Sequence, residues 1–349
     1  MTHYVDSFPG REICINGESH LYFGGTSYLG LQTDSAFQDI LISNIKKYGT
    51  NYGASRKSNI QYSIYNEVET YLSGLVGSED AITLSSGYLA GQLVTQYYNN
   101  SNYTLFYTPN THSALAVNNA PNYASYKALK QGISAYLATN PNKAPVIFLD
   151  SIDFSGKNYP HFTFLKELPL QECILVVDDS HGIGILGKNG GGVFNLIKAL
   201  KPKEVVSCCS LSKGFGIQAG VIFGKLTTIN SIKNTSFFGG ASPASPACIA
   251  TLKDAEDMYR KKREQLNSNL LYFTSKTEKL SCFSFMKGHP SFTFENKNLS
   301  KNLEKNKIVV TNFNYPNKNS PLMSRIVLSA SHTKADLDYL IKSLHILLD

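Results

Sequence analysis

Val205-Val206-Ser207-Cys208-Cys209-Ser210-Leu211-Ser212-Lys213-Gly214-Phe215-Gly216 is an apolar run that stops in hydroxyls, a lysine and two glycines. The run reads as a buried strand, and the Ser and Gly cluster ends it. Lys213 therefore stands at a strand end, where a parallel sheet builds its site. A lysine amine there can form a Schiff base with an aldehyde once its proton is easy to lose. The hydroxyls of Ser210 and Ser212 and the bare backbone beside them suit a phosphate. Taken alone, the stretch is equally a lysine capping a strand in solvent; the sequence upstream decides between the two.

Upstream, Cys173-Ile174-Leu175-Val176-Val177-Asp178 is a second apolar run, ending in Asp178-Asp179-Ser180-His181-Gly182. Packing explains a carboxylate at such a strand end poorly, because a buried charge is costly without a partner. A turn cap is the plain alternative; a protonated ring nitrogen on a cofactor is the partner that fits Lys213. Gly182-Ile183-Gly184-Ile185-Leu186-Gly187 matches GxGxxG. A dinucleotide fold needs those glycines directly after the strand and opening a helix. Here Asp-Asp-Ser-His intervenes, and Gly190-Gly191-Gly192 follow, so a nicotinamide or flavin site is not expected.

Further out the pattern alternates. Strands are expected at 81–84, 105–107, 145–150, 173–178, 205–209 and 220–223, alternating with helices: one marked by Val68, Tyr71, Leu72 and Leu75 and ending at Gly77, one after Ser86-Gly87-Tyr88, one opened by Pro109-Asn110-Thr111-His112-Ser113, and one at 127–138. Val, Ile and Leu strands alternating with helices describe an α/β fold with a mostly parallel sheet covered on both faces. At the N-terminus, Asn16-Gly17 between two apolar runs predicts a hairpin over 11–23. A helix over 34–48 follows, capped by Asp34, with Phe37, Ile40, Leu41 and Ile45 on one face. Beyond 235 a long helix over 246–272, short strands at 283–285, 292–294, 308–310 and 325–329, and an amphipathic helix at 333–348 describe a smaller α+β domain. The expected organisation is a hairpin segment 1–33, a large domain 34–235 and a small C-terminal domain 236–349. Arg325 lies inside an apolar strand pattern and needs an anion, from a structural carboxylate or a substrate. His112 reads as a helix-start residue or a catalyst, and Ser55-Arg56 as a site element or a solvated loop.

With 349 residues, 42% hydrophobic and 17% charged, the chain is globular in composition. Its net charge of +7 is dispersed, without a basic block, so no nucleic-acid footprint is expected, while small anions such as phosphates or coenzyme A suit the field. The six cysteines show no CxxC spacing, which points to free thiols in a reducing compartment and to no metal site. No signal peptide and no run of eighteen apolar residues are seen, so a cytoplasmic protein is expected.

Together these residues resemble the α-oxoamine synthases, a family of fold-type-I pyridoxal phosphate enzymes that includes 8-amino-7-oxononanoate synthase, glycine C-acetyltransferase, 5-aminolevulinate synthase and serine palmitoyltransferase. The resemblance runs from about Tyr28 to the C-terminus. Tyr28-Leu29-Gly30-Leu31 and Ala54-Ser55-Arg56 are similar to the family's Tyr-Leu-Gly-Leu and Gly-Ser-Arg, which places Tyr28 and Arg56 with the substrate-binding residues. Ser86-Gly87-Tyr88 resembles the turn whose amides hold the phosphate. His112 falls where the family stacks a histidine on the pyridine ring. Asp178 and His181 match Asp-x-Ala-His, whose members contact the ring nitrogen and the 3-hydroxyl. Ser210-Leu211-Ser212-Lys213 matches Thr-Leu-Ser-Lys, with Lys213 the Schiff-base lysine and Ser210 toward the phosphate. Arg325 matches the carboxylate-binding arginine. The sequence departs at Thr26-Ser27, at Tyr65, at Phe238-Gly239-Gly240-Ala241-Ser242, and at Phe154-Ser155-Gly156-Lys157, which replace the family's Asp-Gly-Asp.

The resemblance implies a homodimeric pyridoxal 5′-phosphate enzyme of aminotransferase class I/II fold that condenses an amino acid with an acyl-CoA, losing carbon dioxide. An 8-amino-7-oxononanoate synthase-like role in biotin synthesis, with L-alanine, fits best. The alternatives are another member's activity, an aminotransferase, an aldolase or decarboxylase, or a non-catalytic partner subunit.

Overall fold

The structure is a computed structural model that describes residues 2–109, 111–116, 123–154, 158–296 and 298–348. Near the N-terminus, β1 (Glu12–Ile15) and β2 (Glu18–Phe23) form the expected antiparallel hairpin. Asn16 and Gly17 turn it with φ of 52° and 81°, the left-handed pair a tight two-residue turn requires.

The chain divides into two compact units. The central unit, Asp39–Asp153 with Lys157–Ala255, holds β3 (Asp80–Leu84), β4 (Thr104–Tyr107), β5 (Pro145–Asp150), β6 (Ile174–Asp178), β7 (Glu204–Ser210) and β8 (Gly220–Gly224). They form one sheet in the order β3-β8-β7-β6-β5-β4. Strands β4 to β7 are mutually parallel, and β8 is antiparallel to both neighbours.

Burial along these strands explains where the site forms. Ile174–Val177 are buried and Asp178 is half-buried. Pro145–Leu149 end likewise in half-buried Asp150, and Val205–Cys209 in half-buried Ser210. Both faces of each strand are covered, so polar groups emerge only at the ends. Because the strands are parallel, those ends line one edge. Strand β3 runs in the same sense as β7, so Leu84 and Ser210 flank Gly220 at that edge. Beneath it Ile82, Phe148, Val176, Val206 and Ile222 pack with Ala90, Leu93 and Val94 of helix Gly87–Tyr98.

The terminal unit, Met1–Gln38 with Phe154–Gly156 and Glu256–Asp349, adds β9 (Phe283–Phe285), β10 (Ser291–Phe294), β11 (Ile308–Asn314) and β12 (Leu322–Val327). Its sheet runs β1-β2-β11-β12-β10-β9. The β2–β11 pair is parallel. The N-terminal hairpin is thus part of the same unit as the C-terminal strands, and the units divide at Ala255 and Glu256, not at 235. At that point the expected helix 246–272 is two helices, Pro246–Asp254 and Glu256–Thr277.

Two further readings change. Helix Ser35–Tyr48 is capped by Asp34, whose Oδ1 accepts the Phe37 amide at 3.2 Å, but Ile45 is exposed. Asn44 is the buried residue on that helix; its amide donates to Thr251 Oγ1 and to Asp254 Oδ2 at 3.3 and 2.9 Å. A hydrophobic pattern cannot register a polar group buried by such partners. After His112 the chain makes a single 3₁₀ turn, Ser113–Leu115, in place of a helix. Asn110 and residues 117–122, over which the helix would have extended, lie outside the described residues.

Candidate active site

Lys213 sits in the turn after β7, and its Nζ lies 3.0 Å from His181 Nε2. Two glycines allow this approach. A Cβ on Gly214 would stand 2.2 Å from the Ile183 carbonyl oxygen, and one on Gly184 would stand 2.9 Å from Gly214. The glycine run 182–187 therefore serves close packing of the β6 and β7 loops; no helix follows it directly, only a 3₁₀ turn at Lys188–Gly190. Ser180 completes the junction, its Oγ accepting the Ser210 amide at 2.8 Å.

Three other elements reach the same edge. Asp178 ends β6, and its Oδ1 accepts the Ser180 amide at 2.9 Å. His112 caps the turn after β4. Its Nδ1 accepts the Ala114 amide at 3.1 Å and its own amide donates to Asp150 Oδ2 at 2.7 Å. Burial chiefly, with the Lys213 charge adding, lowers the His112 pKa against the opposite pull of Asp178. The ring is neutral at pH 7. Ser86 caps helix Gly87–Tyr98 by accepting the Leu89 amide. The Gly87 and Tyr88 amides, in the first turn, have no acceptor within the helix. Gly87 lies against β7, since a Cβ there would stand 2.5 Å from Ser210 Cβ. The Ser210 and Ser212 hydroxyls are 2.7 Å apart.

This set fits a phosphorylated pyridine aldehyde. A helix N-terminus with two hydroxyls beside it suits a phosphate dianion. The space Gly87 leaves over Ser210 admits no side chain. Asp178 offers an acceptor to a ring N–H, a neutral His112 can lie flat on an aromatic ring without opposing its charge, and Lys213 can bond to the aldehyde carbon.

No family model matches the chain. The 8-amino-7-oxononanoate synthase of Thermosipho melanesiensis is 25% identical over 355 residues, 96% of this chain and 90% of that protein. Sphingomonas wittichii serine palmitoyltransferase superposes with a TM-score of 0.81 at 17% identity, over 99% of this chain and 91% of that one. Francisella tularensis 8-amino-7-oxononanoate synthase superposes with a TM-score of 0.71 at 20% identity, over 94% and 96%. The fold is that of the fold-type-I pyridoxal phosphate enzymes. Within that class the chain is similar, along nearly its whole length, to pyridoxal phosphate-dependent acyltransferases of the α-oxoamine synthase type.

Lys213, His181, Asp178, His112, Ser86, Gly87, Tyr88, Ser210 and Ser212 are all carried at the one edge of the central sheet. Arg56 is different. It is buried, its Nη1 and Nη2 donate to Glu69 Oε1 and Oε2 at 2.8 and 3.1 Å, and its guanidinium lies 3.9 Å from the Tyr65 ring centroid. Thr83 Oγ1 takes a further contact at 3.3 Å. These partners tie helix Ile64–Val76 to β3 and give Arg56 a structural ion pair that the expected substrate role did not include; its Nε alone is without a partner among the described residues. The signal in the sequence was Glu69, a charge on the face that carries Tyr65 and Leu72. Arg56→Met is expected to cost about 3–5 kcal/mol in urea unfolding, because it strands the buried Glu69 charge, while the protein that remains folded keeps its Michaelis constants.

Tyr28 and Arg325 belong to the terminal unit. Tyr28 is fully buried, edge-on to His289 at 5.3 Å. Arg325 has its Nε buried without a hydrogen-bond partner among the described residues. Burial pushes it down to about 10.

Two acids were not singled out in the sequence. Asp150 pairs in register with Asp178, and burial, then the Asp178 charge, drives its pKa well above the usual carboxylate range. Its signal was the same as that of Asp178, a carboxyl closing an apolar strand. Asp179 is buried, with Oδ1 accepting from Ser151 Oγ at 2.6 Å and Oδ2 from the Val193 amide at 2.8 Å. Cβ atoms on Gly182 and Gly192 would stand 2.1 and 1.9 Å from its carboxylate oxygens. Burial pushes Asp179 up to about 7. Between about pH 4 and 7 the folded chain holds a proton that the unfolded chain has released. This stabilisation is complete below about pH 4 and lost as pH rises through 7. Urea midpoints are therefore expected to fall between pH 5 and pH 8, and Asp179→Asn, which mimics the neutral acid, is expected to flatten that part of the slope.

Among the described residues no helix is long and apolar enough to cross a membrane, and no cluster of three or more His, Cys, Asp or Glu could hold a metal ion.

Proposed function

We propose that this chain condenses an amino acid with an acyl-CoA thioester, as an 8-amino-7-oxononanoate synthase does, with L-alanine as the amino acid. The observation that carries the reading is Lys213 Nζ against His181 at the strand edge that also bears Asp178. The match to the Thermosipho melanesiensis synthase along 96% of the chain supports the acyl-transfer reaction. In the balanced reaction the amino acid loses its carboxylate as carbon dioxide. The α-carbon bonds to the acyl carbon, and coenzyme A leaves as a thiol after one proton is taken up.

Bound pyridoxal phosphate supplies the electron sink for the α-carbon. Lys213 Nζ takes the α-proton and returns a proton to that carbon. The His181 contact fixes where the amine stands. Asp178 holds a proton on the pyridine nitrogen, and a neutral His112 covers the ring without competing for that proton. The Gly87 and Tyr88 amides with Ser210 and Ser212 hold the phosphate. Arg325 takes the substrate carboxylate, consistent with a buried guanidinium that retains a donor. Two copies are proposed to work as a homodimer in the cytoplasm.

The test is a matrix of L-alanine, glycine and L-serine against acyl-CoAs of increasing length, read by thiol and carbon dioxide release. Release of both with L-alanine supports the reading in full. Release with glycine or L-serine alone keeps the reaction and changes the substrate. Amino transfer to an oxo acid with no thiol release would replace it by another fold-type-I chemistry.

A further inference from the structure

Phe154, in one of the segments where the sequence departs from the family pattern, lies on Arg325. The Arg325 guanidinium carbon is 3.6 Å from the Phe154 ring centroid. Phe154 holds this place with φ of 52°, a left-handed backbone that an aromatic residue adopts only where its surroundings enforce it. His289, fully buried, braces it: its ring is edge-on to Phe154 at 5.4 Å and edge-on to Tyr28 at 5.3 Å. All four residues belong to the terminal unit.

A guanidinium donates in its own plane, and an aromatic ring attracts it through its face. A ring seated on the face therefore fixes the plane and leaves the in-plane N–H groups for a two-pronged carboxylate. The neighbouring strand supplies a second polar group. Thr293 on β10 stands directly opposite Arg325 on β12, so their side chains share one face of the sheet. Thr293 Oγ1 is buried without a partner among the described residues, as are Arg325 Nε and, two residues along β10 on the same face, Ser291 Oγ. Buried polar groups without partners are few in a folded protein and call for an explanation. Two hydroxyls on one patch, beside a guanidinium whose own Nε has no partner among the described residues, suit a small oxyanion.

We infer that Phe154 is a positioning residue that sets the plane of Arg325, and that Thr293 Oγ1 is a further donor to the same substrate carboxylate. This rests on the reading of Arg325 given under the proposed function. It differs from that reading in naming the residues that orient Arg325 and share its ligand.

The test uses the enzyme loaded with pyridoxal phosphate. Dissociation constants for glycine, L-alanine and L-serine are read from the cofactor absorbance, with ethylamine as the amine that lacks a carboxylate. Phe154→Ala is expected to weaken the tightest-binding amino acid about tenfold, with kcat altered less than KM and ethylamine unaffected. Phe154→Tyr is expected to restore binding. Thr293→Val is expected to weaken it about fivefold, and Thr293→Ser to do so less. Melting temperatures and cofactor absorbance of each variant establish that it is folded and loaded. Arg325→Lys separates the two levels of the argument. If it weakens the amino acids while Phe154→Ala and Thr293→Val leave them within twofold, or weaken ethylamine equally, the present inference is overturned alone. If Arg325→Lys also changes nothing, the carboxylate assignment falls with it.

Discussion

Lys213→Ala is expected to lower turnover by roughly 10⁴-fold, the upper range for removal of a positioned proton-transfer group, compounded by loss of the covalent attachment. Its Nζ sits against His181 because Gly214 and Gly184 pack without side chains, and no other lysine is held at that edge by the contacts described. Borohydride treatment of the wild type with pyridoxal phosphate should leave a stable label on the peptide that carries Lys213, and the variant should take none there. Label of equal yield on the variant, or turnover within tenfold of wild type, would remove Lys213 from the chemistry and with it the proposed reaction. The alanine chain should fold, since Lys213 is half-buried on a turn and outside the apolar core.

Asp178→Asn is expected to lower turnover by roughly 10²–10³-fold, the usual cost of losing one fixed charge or donor aimed at a reacting system. An amide cannot hold a proton on the pyridine nitrogen as a carboxylate does. Asp150→Asn is the matched control. Burial and the adjacent Asp178 already favour the protonated form of Asp150, and an amide oxygen can still accept the His112 amide. Turnover within about threefold of wild type is expected there, because burial and Asp178 already disfavour the charge that the amide removes. Equal losses in both variants, measured as kcat with cofactor loading verified by absorbance, would show that the two acids act as a single unit and that Asp178 has no separate role at the ring nitrogen.

These expectations depend on features that differ in how far the sequence discloses them. Strand ends are local. An apolar run of four to six residues closed by Asp178, Ser210 or Asp150 states where a covered strand stops being covered, and parallel strands then bring such ends together. That is why the position of Lys213, Asp178, His181 and the Ser86 turn at strand ends is legible in the sequence. The hairpin at Asn16-Gly17 was legible for the same reason, since its turn geometry depends on two residues. Asp150 carried the same local signal, and its role followed only from its register with Asp178.

Partners distant in sequence could not be read in that way. Arg56 resembles a substrate ligand in its motif, and only folding shows Glu69 taking both of its terminal nitrogens. The glycine run 182–192 resembles a nucleotide loop, and only the packed structure shows Gly182 and Gly192 closing on Asp179 and Gly184 on Gly214. The long helical pattern 246–272 gave no sign of its break at Ala255, where the two units divide. Sequence by itself determined the sheet and the strand edge that carries Lys213, because hydrophobic periodicity and strand-end polarity are properties of neighbouring residues. Tertiary structure alone decided which buried cation meets a carboxylate, as Arg56 meets Glu69, and which, like Arg325 under Phe154, meets an aromatic ring, because the partner of a buried charge is chosen by the fold and not by the chain around it.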